Sequence, residues 1–262
     1  MSYETLTFDQ TDATATITLN RPDDANALTG LMARELFDVA MRCDTDQSIR
    51  AAILTGTGKM FCAGGDLKDF NARGPDLPAY LTETATVLHN AIIRFQMMDA
   101  PLVVAVNGTA AGAGLSMALA GDYVLASDSA RFVLAYTASG LTPDGSSTYF
   151  LAKHVGLLRA KELALTNRVL GADEAVQWGL ATRMVAPDAL AEEAQTLAAG
   201  FAAGPSRAFG ATKRLLLTGF SASIEAQLEA ETRAIVAMSR THDGRHGIDA
   251  FATKQKPAFT GS

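Results

Sequence analysis

Along residues 13–19, ATATITL, the apolar residues Ala13, Ala15, Ile17 and Leu19 alternate with threonines, which is the period of a strand with one buried face. The strand ends at Asn20-Arg21-Pro22. Thr29-Gly30 then offers a helix cap, and Leu31, Leu36, Val39 and Met41 form an apolar stripe on the helix that follows. AAILTG at 51–56 reads as a buried strand. The same succession comes again: an amphipathic helix over 80–98, a buried strand LVVAV at 102–106, a small-residue helix in AGAGLSMALAG, and an apolar strand YVLA at 123–126. Strands alternating with helices predict an α/β core.

After about residue 155 the pattern becomes almost wholly helical, divided by Gly and Pro. In SIEAQLEAETRAIVAMSR the residues Ile224, Leu228, Ile235 and Met238 fall on one helical face. The expected organisation is a core over residues 1–200 and a helical region over 201–262 that packs on the core or on a neighbouring subunit. Repeats and low-complexity segments are absent from the sequence.

Composition narrows the function. The 262 residues are 48% hydrophobic, enough for a substantial core. With 22 Lys+Arg against 28 Asp+Glu, the net charge of -6 argues against a nucleic-acid partner. No run approaches the roughly 18 apolar residues of a membrane span. No basic segment leads into an apolar one at the N-terminus, so a soluble, cytoplasmic protein is expected. Cys43 and Cys62 cannot build a disulfide framework, and four scattered histidines have no zinc spacing, so no metal is expected.

Two glycine-rich loops follow buried strands. In FCAGGDL (61–67) small residues let a ligand approach the amides of Gly64 and Gly65, although a plain strand-to-helix turn would look the same. In NGTAAGAGLSMALA (107–120) the loop opens a helix, whose free N–H groups and dipole would stabilise an oxygen gaining negative charge. A dinucleotide fingerprint beginning at Gly112-Ala-Gly114 fails because Met117 stands at its third glycine. A nucleophile elbow at Ser116, with Asp144 and His154 after it, fails because Ser116 lies well inside the helix. In GLTPDGSSTYF (140–150), Pro143 at the second position of a turn, followed by Asp144-Gly145, is turn chemistry that also displays a carboxylate.

Five stretches carry a family resemblance: LNRPDDANALT (19–29), FCAGGDL (61–67), AVNGTAAGAGLSMALAGDYVLAS (105–127), GLTPDGSS (140–147) and GADEAVQWGLATRMV (171–185). Together they resemble the crotonase, or enoyl-CoA hydratase/isomerase, superfamily, in its order and over nearly the whole chain. The resemblance implies an α/β fold, a spiral of ββα units with a C-terminal helical trimerisation region, assembled as a homotrimer or hexamer. It implies an acyl-CoA thioester substrate, with coenzyme A entering as part of that substrate and no separate cofactor. The oxyanion donors map onto the Gly65 and Ala113 N–H groups. The substrate-binding positions map onto Arg21, Ala25, Ala27, Ala63, Gly64, Asp66, Leu67, Gly112 and Ser116. Asp23 stands where many relatives carry a cation for CoA phosphate.

The two glutamates of hydratases map onto Ser116 and Tyr136, neither of which is a carboxylate. Asp144 aligns with the catalytic aspartate of enoyl-CoA isomerases, including the phenylacetate-pathway type that the chain resembles most. It aligns equally with the nucleophile of 4-chlorobenzoyl-CoA dehalogenase, whose base aligns with His89. Expected catalytic residues are therefore Asp144, Gly65, Ala113, His89 and Tyr136; double-bond isomerisation of an enoyl-CoA with Asp144 as base is the leading expectation, with hydratase, dehalogenase-type hydrolase (Asp144 nucleophile, His89 base) and non-catalytic acyl-CoA binder as alternatives. The acyl group would be set by loops such as residues 71–88.

Overall fold

The computed structural model describes residues 3–262. Antiparallel strands β1 (Leu6–Thr11) and β2 (Thr14–Leu19) lead through a 3₁₀ turn, Pro22–Asp24, to helix α1 (Gly30–Thr45). Each following turn of the chain then gives one strand to each of two sheets. Strands β3 (Ala51–Gly56), β5 (Leu102–Val106) and β7 (Tyr123–Ser127) join the large sheet, while β4 (Met60–Cys62), β6 (Thr109–Ala111) and β8 (Arg131–Val133) join the small one. Helices α2 (Leu67–Ala72) and α3 (Leu77–Met97) follow the first pair, and α4 (Ala113–Leu119) follows the second. Beyond these come α5 (Ser147–Val155), α6 (Leu157–Thr166), β9 (Leu170–Gly171), α7 (Ala172–Trp178), β10 (Arg183–Val185), α8 (Leu190–Ala202), α9 (Ser206–Gly219), α10 (Ile224–Ser239) and α11 (His242–Ala252).

The large sheet runs β1-β2-β3-β5-β7-β10 and is parallel apart from β1/β2. The small one runs β4-β6-β8-β9, with only β8/β9 antiparallel. Strand β5 is buried on both faces, as a central parallel strand is: Val104 and Val106 face the main core, while Val103 and Ala105 face α8. The alternation in β2 holds, with Ala15, Ile17 and Leu19 buried. Ala13 lies just outside that strand.

Two expectations change. The buried stripe of α1 is Met32, Leu36, Val39, Ala40 and Cys43; Leu31 and Met41 are only half-buried, because the face turned to α3 lies one position along. Residues 71–88 are not a loop but mostly helix, the end of α2 and the first half of α3. Of the two places expected for the stripe on α10, the core is not the one it takes: Ile224, Leu228 and Ile235 are all exposed in the single chain, which leaves a neighbouring subunit. Residue 200 falls within α8, whose Ala194, Ala198 and Ala202 pack on the large sheet; the chain breaks between helices at 203–205.

Among the described residues no helix is long and apolar enough to cross a membrane. No group of His, Cys, Asp and Glu there could hold a metal ion.

Candidate active site

The two glycine loops meet. Gly64, at φ +96°, touches Gly112: a Cβ at Gly64 would lie 3.0 Å from the Ala111 carbonyl and 3.3 Å from Gly112 Cα. Only a glycine suits both that dihedral and that approach. Residues 25–28 run alongside the first loop. The Ala63 N–H donates to Ala25 O (3.0 Å), the Leu28 N–H to Gly64 O (2.7 Å), and the Asp66 N–H to Leu28 O (2.9 Å). Gly65 is thereby fixed on both sides while its own N–H has no partner among the described residues. Ala113 opens α4, so its N–H has no acceptor within the helix.

Asp66 caps α2, accepting from the N–H groups of Lys68 and Asp69, and its other oxygen pairs with Arg21 at 3.1 Å. Burial works to raise its carboxyl, but those N–H groups and the guanidinium win, and the group sits below the usual carboxylate range. Arg21 also pairs with Asp24 at 2.8 Å and donates to Ala27 O. Arg21 and Asp66 thus brace the loop from behind, with their charges paired to each other.

Between the loops and α3 lies a cavity of about 320 Å³. Of the expected site residues, Ala63, Gly64, Gly65, Leu67, Gly112, Ala113, Tyr136 and Asp144 line it; Arg21, Ala25, Ala27, Asp66, His89 and Ser116 do not. The wall also includes Leu28, Leu141 and Thr142, which sequence reasoning did not select, and from helices α2 and α3 Phe70, Leu81, Thr84, Ala85 and Leu88, the last four within the 71–88 segment expected to set the acyl group but not singled out there. Their helix-period pattern identifies buried faces, but not which buried face borders a hole. Asp144 is the only carboxylate among the lining residues.

Asp144 sits where the chain turns into α5. The Ser147 N–H donates to Asp144 O at 3.2 Å, and the two central residues have φ of +59° (Gly145) and +68° (Ser146). That is a turn with both central residues left-handed. Pro143 therefore precedes the turn and does not occupy its second position, contrary to expectation. A Cβ at Gly145 would fall 2.8 Å from Ser116 Cβ. Replacing Gly145 with Ala is expected to cost about 2 kcal/mol, read as a lower denaturation midpoint, from the positive φ and the clash together.

Tyr136 donates to Asp144 Oδ1 at 2.6 Å. Burial, then the neighbouring Asp144 carboxylate, raise the phenol far above its usual value, so it stays a donor. Ser116 is fully buried beneath, donating to Asp144 O at 2.9 Å, and its Oγ lies 3.1 Å from Tyr136 Oη. It lies off the cavity wall, because α4 turns it inward. His89 Nε2 lies 3.3 Å from Asp144 Oδ2 and accepts the Gly145 N–H at 3.0 Å. One nitrogen cannot serve both: unprotonated it holds the turn, and protonated it faces the carboxylate.

Cys62 is fully buried beside the Gly64 loop, and burial pushes its thiol up to about 12, so it is an inert core residue. Trp178 ends α7, with the Arg159 guanidinium 4.4 Å from its ring centre. Lys68, on the first turn of α2, is 89% exposed and 3.7 Å from Asp24. It stands on the flank where Asp23 offers no cation, and only the fold brings these segments together.

A model described as enoyl-CoA hydratase/isomerase matches residues 9–262. The chain belongs to the enoyl-CoA hydratase/isomerase family. A protein named probable enoyl-CoA hydratase from Rhodobacter capsulatus is 40% identical over 100% of both chains. The 1,2-epoxyphenylacetyl-CoA isomerase of Escherichia coli is 36% identical over 94% of each. The crystal structure of an enoyl-CoA hydratase from Polaromonas sp. JS666 superposes with a TM-score of 0.92 at 30% identity, covering 97% of this chain and 99% of that one. The protein is an enzyme of this family with its crotonase fold, a spiral of ββα units.

Proposed function

We propose that this enzyme moves a carbon–carbon double bond in an enoyl-CoA thioester, with Asp144 as the base. One observation carries the reading: Asp144 is the only carboxylate lining the cavity, and the residues at the two hydratase glutamate positions, Ser116 and Tyr136, hydrogen-bond to Asp144 itself. The thioester oxygen would take hydrogen bonds from the Gly65 and Ala113 N–H groups. That draws electron density off the carbonyl and acidifies the adjacent C–H. Asp144 would remove the α proton of a 3-enoyl-CoA, giving a dienolate, and return it at the γ carbon. One base suffices for this transfer, whereas water addition also needs a positioned water.

A second reading has its own support. His89 Nε2 lies 3.3 Å from Asp144 Oδ2, an arrangement that also suits a carboxylate nucleophile with a histidine base on an aryl-CoA. Purified enzyme offered 3-hexenoyl-CoA, 2-hexenoyl-CoA and 4-chlorobenzoyl-CoA separates them. Formation of 2-enoyl-CoA from the first is expected. Turnover of the second to a 3-hydroxyacyl-CoA, or chloride release from the third, without isomerisation, would replace the reading.

In this reading Lys68, exposed on the first turn of α2, would meet a phosphate of the CoA moiety. Lys68→Glu is expected to raise KM roughly three- to ten-fold at low salt with kcat unchanged, the difference shrinking as salt screens it. The uncovered apolar faces of α10 and α11, including Ile224, Ile235 and Phe251, suit contacts between copies of the chain, which the homotrimer or hexamer implied by the family resemblance would cover.

A further inference from the structure

The Ser116 hydroxyl has one proton and three oxygens in reach: Asp144 O at 2.9 Å, Tyr136 Oη at 3.1 Å and Gly112 O at 3.3 Å. The Tyr136 hydroxyl has two acceptors, Asp144 Oδ1 at 2.6 Å and Ser116 Oγ at 3.1 Å. While Asp144 is ionised, charge decides the pattern: Tyr136 donates to the carboxylate and Ser116 to the Asp144 carbonyl. The Ser116 oxygen then keeps a lone pair free on the Tyr136 side. Once Asp144 has taken a proton it is a neutral acid and a poorer acceptor. Ser116 Oγ is then the better partner for the Tyr136 hydroxyl.

We propose that Ser116 is a positioning residue for the base, acting through Tyr136: it takes over the Tyr136 hydrogen bond while Asp144 holds the substrate's proton, and gives it back when that proton leaves. This rests on Asp144 being the base. The proton count closes. The abstracted proton moves from carbon to the Asp144 carboxyl and back to carbon, while the Tyr136 proton stays on Oη and only rotates. The buried Tyr136 hydroxyl thereby keeps a good acceptor during the interval when the enolate exists, the interval at which a weakened hydrogen bond would slow the reaction. Ser116 is fully buried and off the cavity wall, so it affects the chemical step and not substrate capture.

The test is the rate at which solvent deuterium enters 3-hexenoyl-CoA. Ser116→Ala is expected to lower the kcat of exchange roughly five-fold, the worth of one neutral hydrogen bond, with KM within about two-fold of wild type. Ser116→Cys, which keeps the volume but accepts weakly, is expected to be slow as well. In a Tyr136→Phe background, Ser116→Ala is expected to add no further loss, because no hydroxyl remains to be relayed. Wild-type exchange in both Ser116 variants overturns the proposal. So does a double variant that loses the full product of the two single effects, since Ser116 would then act without Tyr136. Asp144→Asn serves as the control: exchange that survives it shows that the base assignment is what failed, whereas exchange abolished by it with Ser116→Ala at full rate refutes Ser116 alone.

Discussion

Asp144→Asn is expected to lower turnover of 3-hexenoyl-CoA by roughly 10²–10⁴-fold, the range lost when a general base is removed. The substitution is nearly isosteric. An amide oxygen can still accept from Tyr136, which now lies 2.6 Å from Oδ1, while His89 Nε2 goes on accepting the Gly145 N–H that holds the turn. The fold should therefore persist, and an unchanged thermal transition would confirm that the loss is chemical. KM should change little, because in the proposed mechanism the loops, and not Asp144, would hold the thioester oxygen. Activity within about two-fold of wild type would mean that another group removes the proton, and no other carboxylate lines the cavity.

Ala113→Pro is expected to cost roughly 10²–10³-fold in kcat, the usual loss for one oxyanion donor. The position lets the donor be deleted cleanly. Ala113 is the first residue of α4, where proline is tolerated because the N–H bonds to no carbonyl of its own helix. The proline Cδ would stand where the N–H pointed, so the thioester oxygen would lose a hydrogen bond and meet a methylene. A matched substitution deeper in α4, at Ala118, breaks helix bonds instead and should appear as lost stability before it appears as lost rate. If Ala113→Pro folds and retains wild-type kcat, the oxyanion assignment at this amide is wrong.

The long strands and helices were legible in the residues because burial imposes a period on them. LVVAV and ATATITL are examples, and so is the amphipathic helix that became α3. The small sheet was not legible: its strands β4, β6 and β8 have three residues each, too few for an alternation to show. Yet those strands carry the two glycine loops into contact. The site divides in the same way. The resemblance pointed to Gly65, Ala113 and Asp144 because each lies in a motif, and to Tyr136 as the counterpart of a hydratase glutamate, and the structure sets all four on one cavity. It could not distinguish residues that line the cavity from residues behind it. Arg21 and Asp66 neutralise each other, and Ser116 faces inward, for reasons that lie in partners distant in the chain.

By itself the sequence determined the kind of fold, the two amide-rich loops, and the absence of carboxylates at the two hydratase positions. The α/β core and the loops are properties of single residues and of short-range periodicity, whereas the hydratase positions were assigned by the family resemblance; neither needs to know what touches what. Only the tertiary structure decided that Ser116 and Tyr136 are wired to Asp144, that His89 Nε2 is shared between a carboxylate and a backbone N–H, and that the uncovered side of α10 faces away from the core. Hydrogen bonds act within about 3 Å and across any number of residues, so which groups share a proton is settled only when the chain has closed around them.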